Sequence, residues 1–169
     1  SDAVAALKAE SPKNQVSIIM YSGDLDKMIA GLNIAVGAAS MGMSVHMFFT
    51  FWATPALRKN GACGKRPLIE RMFGWILPTG VGGLKLSKMN MGGLGTAMIR
   101  DRMRKKNVPD CQRLMEMASE MGVKFMVCDM SMDLFGLRLA DLTDQLQIEP
   151  CGVSTFLSHA MESKVTLFI

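Results

Sequence analysis

The chain has 169 residues, of which 49% are hydrophobic and 20% are charged. These proportions are typical of one folded globular domain, and they exclude intrinsic disorder and collagen-like repeats. The four cysteines are too few for a disulfide scaffold and no signal peptide is evident, so we expect free thiols in the cytoplasm, with peripheral contact at the membrane as an alternative. We expect residues 1–15 to be a disordered tail and residues 16–169 to form a single domain.

Short apolar runs alternate with segments of helical periodicity along the chain. The runs predict buried strands at residues 16–21, 45–51, 123–128 and 165–169. Helical patterns follow Asp24, Pro109 and Gly152, and a short helix is predicted near residues 54–59. This alternation predicts an α/β protein with a mainly parallel sheet and helices on both faces, as in flavodoxin-like folds.

Residues 61–108 interrupt the alternation and are predicted to be an insertion that is basic and rich in glycine and methionine. Twelve of the 19 basic residues lie between Arg58 and Lys106. The simplest interpretation is a flap or an oligomer contact with solvated charges, and the alternative is docking to a membrane surface or an acidic partner. Aromatic residues do not interleave with the basic run, so we expect no nucleic-acid binding.

Reactive groups in parallel α/β sheets collect at the carboxyl ends of the strands. Cys128 ends the third predicted strand and precedes a helix start, whose amides would lower the pKa of the thiol, whereas the neighbouring Asp129 would raise it. The alternative is an inert cysteine packed at a strand end. The pocket candidates at these strand ends are Tyr21, Ser22, Gly23, Asp24, Asp129, Ser131 and Asp133.

The other three cysteines have weaker patterns around them. Cys151 lies between a proline and a glycine and is a candidate second thiol, although a small residue in a turn explains it more simply. Cys111 falls in the first turn of a predicted helix, a position that lowers a thiol pKa, and Cys63 lies in the insertion. The absence of a CxxC motif disfavours a thioredoxin-type dithiol and a zinc ribbon.

The sequence gives no pattern for a metal or a cofactor. His46 lies within an apolar strand and is interpreted as a core residue, while His159 is predicted to face solvent. Two isolated histidines make no metal site. The glycine-rich run from Gly80 to Gly95 matches neither GxxxxGK[ST] nor GxGxxG. We therefore predict no cofactor.

Several longer motifs together resemble those of the DsrE/DsrF-like family. They are the runs at residues 20–27 (MYSGDLDK), 49–52 (FTFW), 128–136 (CDMSMDLFG), 152–157 (GVSTFL) and 166–169 (TLFI), and the segment 72–91. Within the family, the sequence is most similar to a branch that carries an insertion after the second strand and is often labelled "peroxiredoxin family". No peroxidatic motif supports that label.

The resemblance implies a three-layer α/β/α fold, a homo-oligomer and a role in sulfur trafficking. Family members carry sulfane sulfur as a cysteine persulfide and pass it to small carriers of the TusA type. Cys128 matches the strand-end cysteine of the family, whereas Cys151 matches no characteristic position. The resemblance therefore implies that Cys128 is the catalytic thiol of a sulfur-transfer protein.

Two other functions stay open on the sequence alone. One is a non-catalytic oligomeric adaptor that docks through the basic insertion, and a weaker one is a small-ligand or nucleotide site at the strand ends. We expect the interface of the homo-oligomer to include part of residues 68–98, with basic residues around the mouth that leads to Cys128. That expectation rests on the apolar residues Trp75, Ile76, Leu77, Leu84, Leu86 and Met89.

Overall fold

A computed structural model describes residues 12–59 and 77–169. The strands in these residues are β1 (Lys13–Met20), β2 (Ser44–Phe49), β3 (Lys124–Cys128), β4 (Ile148–Cys151) and β5 (Ser163–Phe168). They form a five-stranded sheet in the order β4-β3-β2-β1-β5, and every pairing is parallel. The predicted α/β class with a parallel sheet is confirmed.

The strand boundaries differ from the prediction by up to three residues; β2 ends at Phe49 and β5 begins at Ser163. β1 begins at Lys13, inside the segment that we assigned to the tail, because its first residues continue the pairing with β5 beyond the apolar run. β4 was not predicted at all. It is a short edge strand that contains Pro150, and an edge position tolerates proline because no neighbour needs its missing N–H.

The helices of the described residues surround this sheet. They are α1 (Leu25–Ser40), α2 (Leu94–Lys105), α3 (Cys111–Glu120), α4 (Asp129–Leu134) and α5 (Val153–Glu162). A 3₁₀ helix at Phe51–Leu57 replaces the helix predicted near residues 54–59. Gly42 and Gly122 follow α1 and α3 with φ of 75° and 78°, and this left-handed conformation ends both helices where the sequence predicts.

The first face of the sheet carries the larger core. Alternate residues of β1, β2 and β3 point to this face, among them Ile18, Met47 and Phe125. They pack against the apolar sides of α1 and α3, as in Leu32 and Leu114, all of which are buried. Burial on this scale is the main stabilising contribution to the fold.

The second face carries a smaller core under α5. Phe48, Met126 and Cys128 come from the strands, and Phe156 comes from the helix. Phe156 is the buried residue of α5, and most other residues of that helix are exposed. The three-layer α/β/α prediction is therefore confirmed, with the layer over the second face thinner than the other.

The described part of the insertion packs on the first-face core. Leu77 and Leu84 are buried in that core, so our prediction that they belong to an exposed apolar patch is wrong. Met89 is exposed as predicted, whereas Trp75 and Ile76 lie outside the described residues. Arg58 fastens the insertion, since its Nη1 donates to the carbonyls of Leu77 and Pro78 at 3.3 Å each.

Candidate functional site

Two cysteine thiols lie side by side at the carboxyl edge of the sheet. Cys128 is the last residue of β3 and Cys151 is the last residue of β4, and the two are register partners. Adjacent strands run about 4.8 Å apart and paired residues point to the same face. Cys128 is only 5% exposed and Cys151 is half-buried. Solvent therefore reaches the pair first through Cys151, the candidate second thiol.

Aromatic side chains close over Cys128 on the second face. The rings of Phe48 and Phe156 stack with their centroids 5.1 Å apart, and Met126 completes the apolar cluster. Phe156 is fully buried and belongs to α5, which begins directly after Cys151 and Gly152. The helix that starts beside one thiol thus shields the other from water.

The environment of Cys151 holds its thiol in the protonated form. Burial raises the pKa of Cys151 to about 11, and Asp129, Cys128 and Glu149 add to the rise by their negative charge. Desolvation and nearby anions both disfavour a thiolate. At neutral pH Cys151 is accordingly a thiol, which is a weak nucleophile.

This pKa predicts a distinct pH dependence for the alkylation of Cys151. Below about pH 11 the rate with iodoacetamide should rise about tenfold for each pH unit, because only the thiolate reacts. Peptide mass spectrometry after timed quenching measures the rate at each cysteine. In urea the same residue should titrate near its ordinary value of about 8.5. A native profile that levels off at that ordinary value would contradict the prediction.

The serine and aspartates that follow Cys128 divide into buried and exposed groups. Ser131 is buried, and its Oγ lies 3.0 Å from Thr50 Oγ1 and accepts from the Phe51 N–H at 2.9 Å. Ser131 therefore joins α4 to the end of β2 and is not available to a ligand in this conformation. Asp129 and Asp133 are both exposed on α4. Of the two, Asp129 is the one whose charge acts on Cys151.

The candidates that follow β1 form a self-contained turn. Ser22 Oγ donates to Asp24 Oδ2 at 2.9 Å and accepts from the Asp24 N–H at 3.2 Å. Gly23 passes so close to the Trp52 carbonyl that a Cβ would overlap it. The Tyr21 ring stacks on Phe168 with centroids 5.7 Å apart. These contacts hold the carboxyl edge together, and they are the ones expected of a structural turn.

Cys111 lies in the wall of a separate cavity between α1, α2 and α3. The cavity has a volume of about 990 Å³, and Arg58, Arg100 and Arg104 also line it. Burial raises the pKa of Cys111 to about 12, outweighing the positive charge of Arg100. Our prediction that the helix start lowers this pKa is wrong, because desolvation dominates.

Basic residues that we expected near Cys128 line this cavity. We predicted that basic residues of the insertion surround the mouth to Cys128, but two of the described ones, Arg100 and Arg104, line the cavity of Cys111. Cys63 and residues 68–76, which the sequence also singled out, lie outside the described residues.

The two histidines form a stacked pair under α5. The rings of His46 and His159 lie 4.1 Å apart at a 15° interplanar angle, so the prediction that His159 faces solvent is wrong. Among the described residues, His46 Nδ1 is buried without a hydrogen-bond partner. Burial lowers the pKa of His46 to about 4, and His159 and Lys124 reinforce the shift. Nowhere in residues 12–59 and 77–169 do three metal-ligating side chains cluster.

His46 predicts a loss of stability in mild acid. An unperturbed histidine has a pKa of 6.5, whereas the pKa of His46 in the folded protein is about 4. Between these pH values the unfolded chain therefore binds more protons than the folded chain. The free energy of unfolding should fall as pH falls from 6.5 through 4 and stay flat above 6.5 as far as His46 is concerned. Glu149 and Glu162 oppose the shift.

Urea midpoints at several pH values measure this effect, with His46→Gln as the control. The variant removes the ionisable group, so its stability should depend less steeply on pH in that window. An equal slope in the two proteins would show that other groups, such as carboxylates, account for the acid sensitivity.

Comparison with known proteins places this geometry in a family. The model of the DsrE/DsrF/DrsH-like family matches residues 12–168. The chain is 44% identical over 156 residues to the uncharacterized protein YrkE of Bacillus subtilis, covering 92% of this chain and 96% of that protein. It is 32% identical to the sulfur carrier protein DsrE2 of Allochromatium vinosum, covering 93% and 99%.

A solved structure supports the fold alone. The crystal structure of the ychN protein from E. coli superposes with a TM-score of 0.55 at 11% identity, covering 93% of this chain and 99% of that one. Over the described residues no helix is both long and apolar enough to cross a membrane.

Proposed function

Because the chain belongs to the DsrE/DsrF/DrsH-like family, we propose that it is a sulfur carrier that holds sulfane sulfur on Cys128 as a persulfide and passes it to a partner thiol. The observation that carries the proposal is the register pairing of Cys128 with Cys151. A sequence identity of 32% to a protein named sulfur carrier protein DsrE2 supports the same role.

The loading step needs only the thiolate of Cys128 and a sulfane-sulfur donor. The thiolate attacks the outer sulfur of a polysulfide, a new S–S bond forms on Cys128, and the shortened polysulfide leaves with the electron pair. Neither metal nor external oxidant enters this balance. The apolar cluster of Phe48, Met126 and Phe156 packed around Cys128 would keep water and small thiols from the product.

Cys151 is a second residue that can carry the sulfur as a persulfide. Once Cys151 has lost its proton, its thiolate attacks the terminal sulfur of the Cys128 persulfide, which makes a persulfide on Cys151 and returns a thiolate to Cys128. Cys151 is the more exposed of the two thiols. The transfer would therefore move sulfur from the shielded position to the accessible one, where a partner can take it.

The partner and the assembly belong to the same proposal. We propose a cytoplasmic protein that delivers sulfur to small carriers of the TusA type and works as a homo-oligomer. We expect the subunit interface to bury three exposed apolar residues of α5, Val153, Leu157 and Met161. They recur every fourth residue and so lie on one side of the helix. Light scattering that gives the mass of one chain at micromolar concentration would contradict the oligomer.

A second candidate function is docking to an anionic membrane surface through α2. Leu94 and Met98 are more than half exposed on one side of this helix, and Arg102 and Lys105 follow them. Apolar residues beside cations are typical of interfacial helices. Sedimentation with anionic vesicles should be salt-sensitive and weaker in Met98→Asp. If the same fraction of the protein sediments when vesicles are left out, this candidate is rejected.

Mass spectrometry of the loaded protein tests the sulfur-carrier proposal. After treatment with inorganic polysulfide and removal of the excess, the wild-type chain should gain about 32 Da, one sulfur atom. Cys128→Ser should lose this gain. Cys111→Ser and Cys63→Ser are the matched controls and should keep it. Undiminished loading of Cys128→Ser would overturn the assignment.

A further inference from the structure

Two carboxylates, those of Asp129 and Glu149, lie near the thiol pair. Asp129 directly follows Cys128 at the start of α4. Glu149 lies two residues before Cys151 and therefore on the same face of β4. Both are exposed, and both act on Cys151 through their negative charge. Among the described residues, neither carboxylate forms an ion pair.

Among the described residues, the basic side chains of β3 and of the large cavity lie away from the thiol pair. Lys124 shares the face of Cys128 on β3, but four residues of strand separate them by about 13 Å. His46 and His159 lie at the level of Lys124 and are stacked on one another. The arginines that line a pocket, Arg58, Arg100 and Arg104, lie around the cavity of Cys111.

This distribution has a direct consequence for the sulfur compounds that approach. Thiosulfate and polysulfides are anions, so the carboxylates repel them from the thiols. Burial is the main reason that the pKa of Cys151 is raised, and the same charges add to it. A cationic surface that covers the site would neutralise both carboxylates, and the thiol would then ionise more easily at the moment of contact.

We propose that Asp129 and Glu149 select a partner that presents its thiol on a basic protein surface, and that they slow, without preventing, the approach of free sulfur anions such as polysulfide. The inference rests on the proposed function, since it names the partner class of the same thiols. Asp129 and Glu149 are specificity-determining residues in this account, because they act on charge at the mouth and not on the transferred sulfur.

Disulfide probes of different charge isolate this effect. The protein thiolate attacks one sulfur of the probe, so one S–S bond breaks, a mixed disulfide forms and a small thiolate leaves. Cystamine is cationic and dithiodipropionate is anionic, and both are short alkyl disulfides. Peptide mass spectrometry measures the reaction rate of each probe at Cys151 and at Cys128. Each rate is divided by the rate at which mercaptoethanol reacts with the same probe, which corrects for the intrinsic reactivity of the probe.

At low salt the wild-type protein should favour cystamine over dithiodipropionate by about tenfold after this normalisation. In Asp129→Asn/Glu149→Gln the ratio should fall close to one, and added salt should lower the wild-type ratio in the same direction. Asp144→Asn is the matched control, since it removes an exposed carboxylate that pairs with Lys59 at the other cavity. Its ratio should equal that of the wild type.

A wild-type ratio near one, or a ratio that the double variant leaves unchanged, would overturn the inference. Sulfur loading by polysulfide, followed to its endpoint, separates this failure from that of the proposed function. Loading on Cys128 together with a ratio near one would reject only the charge selection. Absence of loading on Cys128 would reject the sulfur-carrier function, whatever the ratio.

Discussion

Replacing Phe156 with alanine is expected to lower the free energy of unfolding by about 3–5 kcal/mol. The side chain is fully buried between α5 and the second face of the sheet, and its removal leaves a cavity beside Phe48 and Cys128. Because Phe156 is the buried residue of α5, the helix should also detach more often. Chemical denaturation measures the stability, and timed alkylation measures the exposure of Cys128.

The alkylation rate of Cys128 in Phe156→Ala should rise by at least about tenfold, since local opening controls access to a buried thiol. Thr155→Ala is the matched control on the same helix. Thr155 is exposed and is not among the residues proposed for the subunit interface, so this variant should change stability by about 1 kcal/mol or less. If both variants leave Cys128 equally protected, α5 does not act as its cover.

Gly23→Ala should destabilise the fold by about 1–3 kcal/mol, the usual cost of overpacking. The new Cβ would overlap the backbone carbonyl of Trp52, which cannot move aside as a flexible side chain does. Relief requires the turn after β1 or the 3₁₀ helix at Phe51–Leu57 to shift. The shift would disturb the carboxyl edge on which the thiol pair depends.

Gly37→Ala is the matched control for this substitution. Gly37 lies within α1 and has open space around the position of a Cβ. The interior of a helix favours alanine over glycine, so this variant should be more stable than the wild type by about 0.5–1 kcal/mol. Urea midpoints compare the two. Equal stability of Gly23→Ala and Gly37→Ala would show that the close approach to Trp52 carries no cost.

The sequence predicts the buried strands well because their signal is local. The runs that became β1, β2 and β3 are apolar and continuous, as expected where both faces of a parallel sheet are covered. β4 has no such run. Its sequence, Ile148–Cys151, carries a glutamate and a proline, and only its pairing with β3 defines it as a strand.

The same limit applies to the site. Cys128 could be placed at a strand end from its own neighbourhood, but its partner Cys151 depends on the pairing of β3 with β4. The stack of His46 on His159 also joins distant parts of the chain. For Cys111 the helix start was predicted correctly, whereas its pKa depends on burial in the first-face core, which spacing in the sequence does not report.

Transfer of sulfur out of the loaded protein tests the central claim most directly. Polysulfide-treated protein, freed of excess donor, is mixed with a cysteine-containing basic peptide, and all thiols and persulfides are trapped with iodoacetamide. The account predicts that the peptide containing Cys128 loses about 32 Da while the acceptor gains the same mass as a persulfide. Sulfur that never leaves Cys128, or an acceptor that gains sulfur equally from Cys128→Ser, would contradict it.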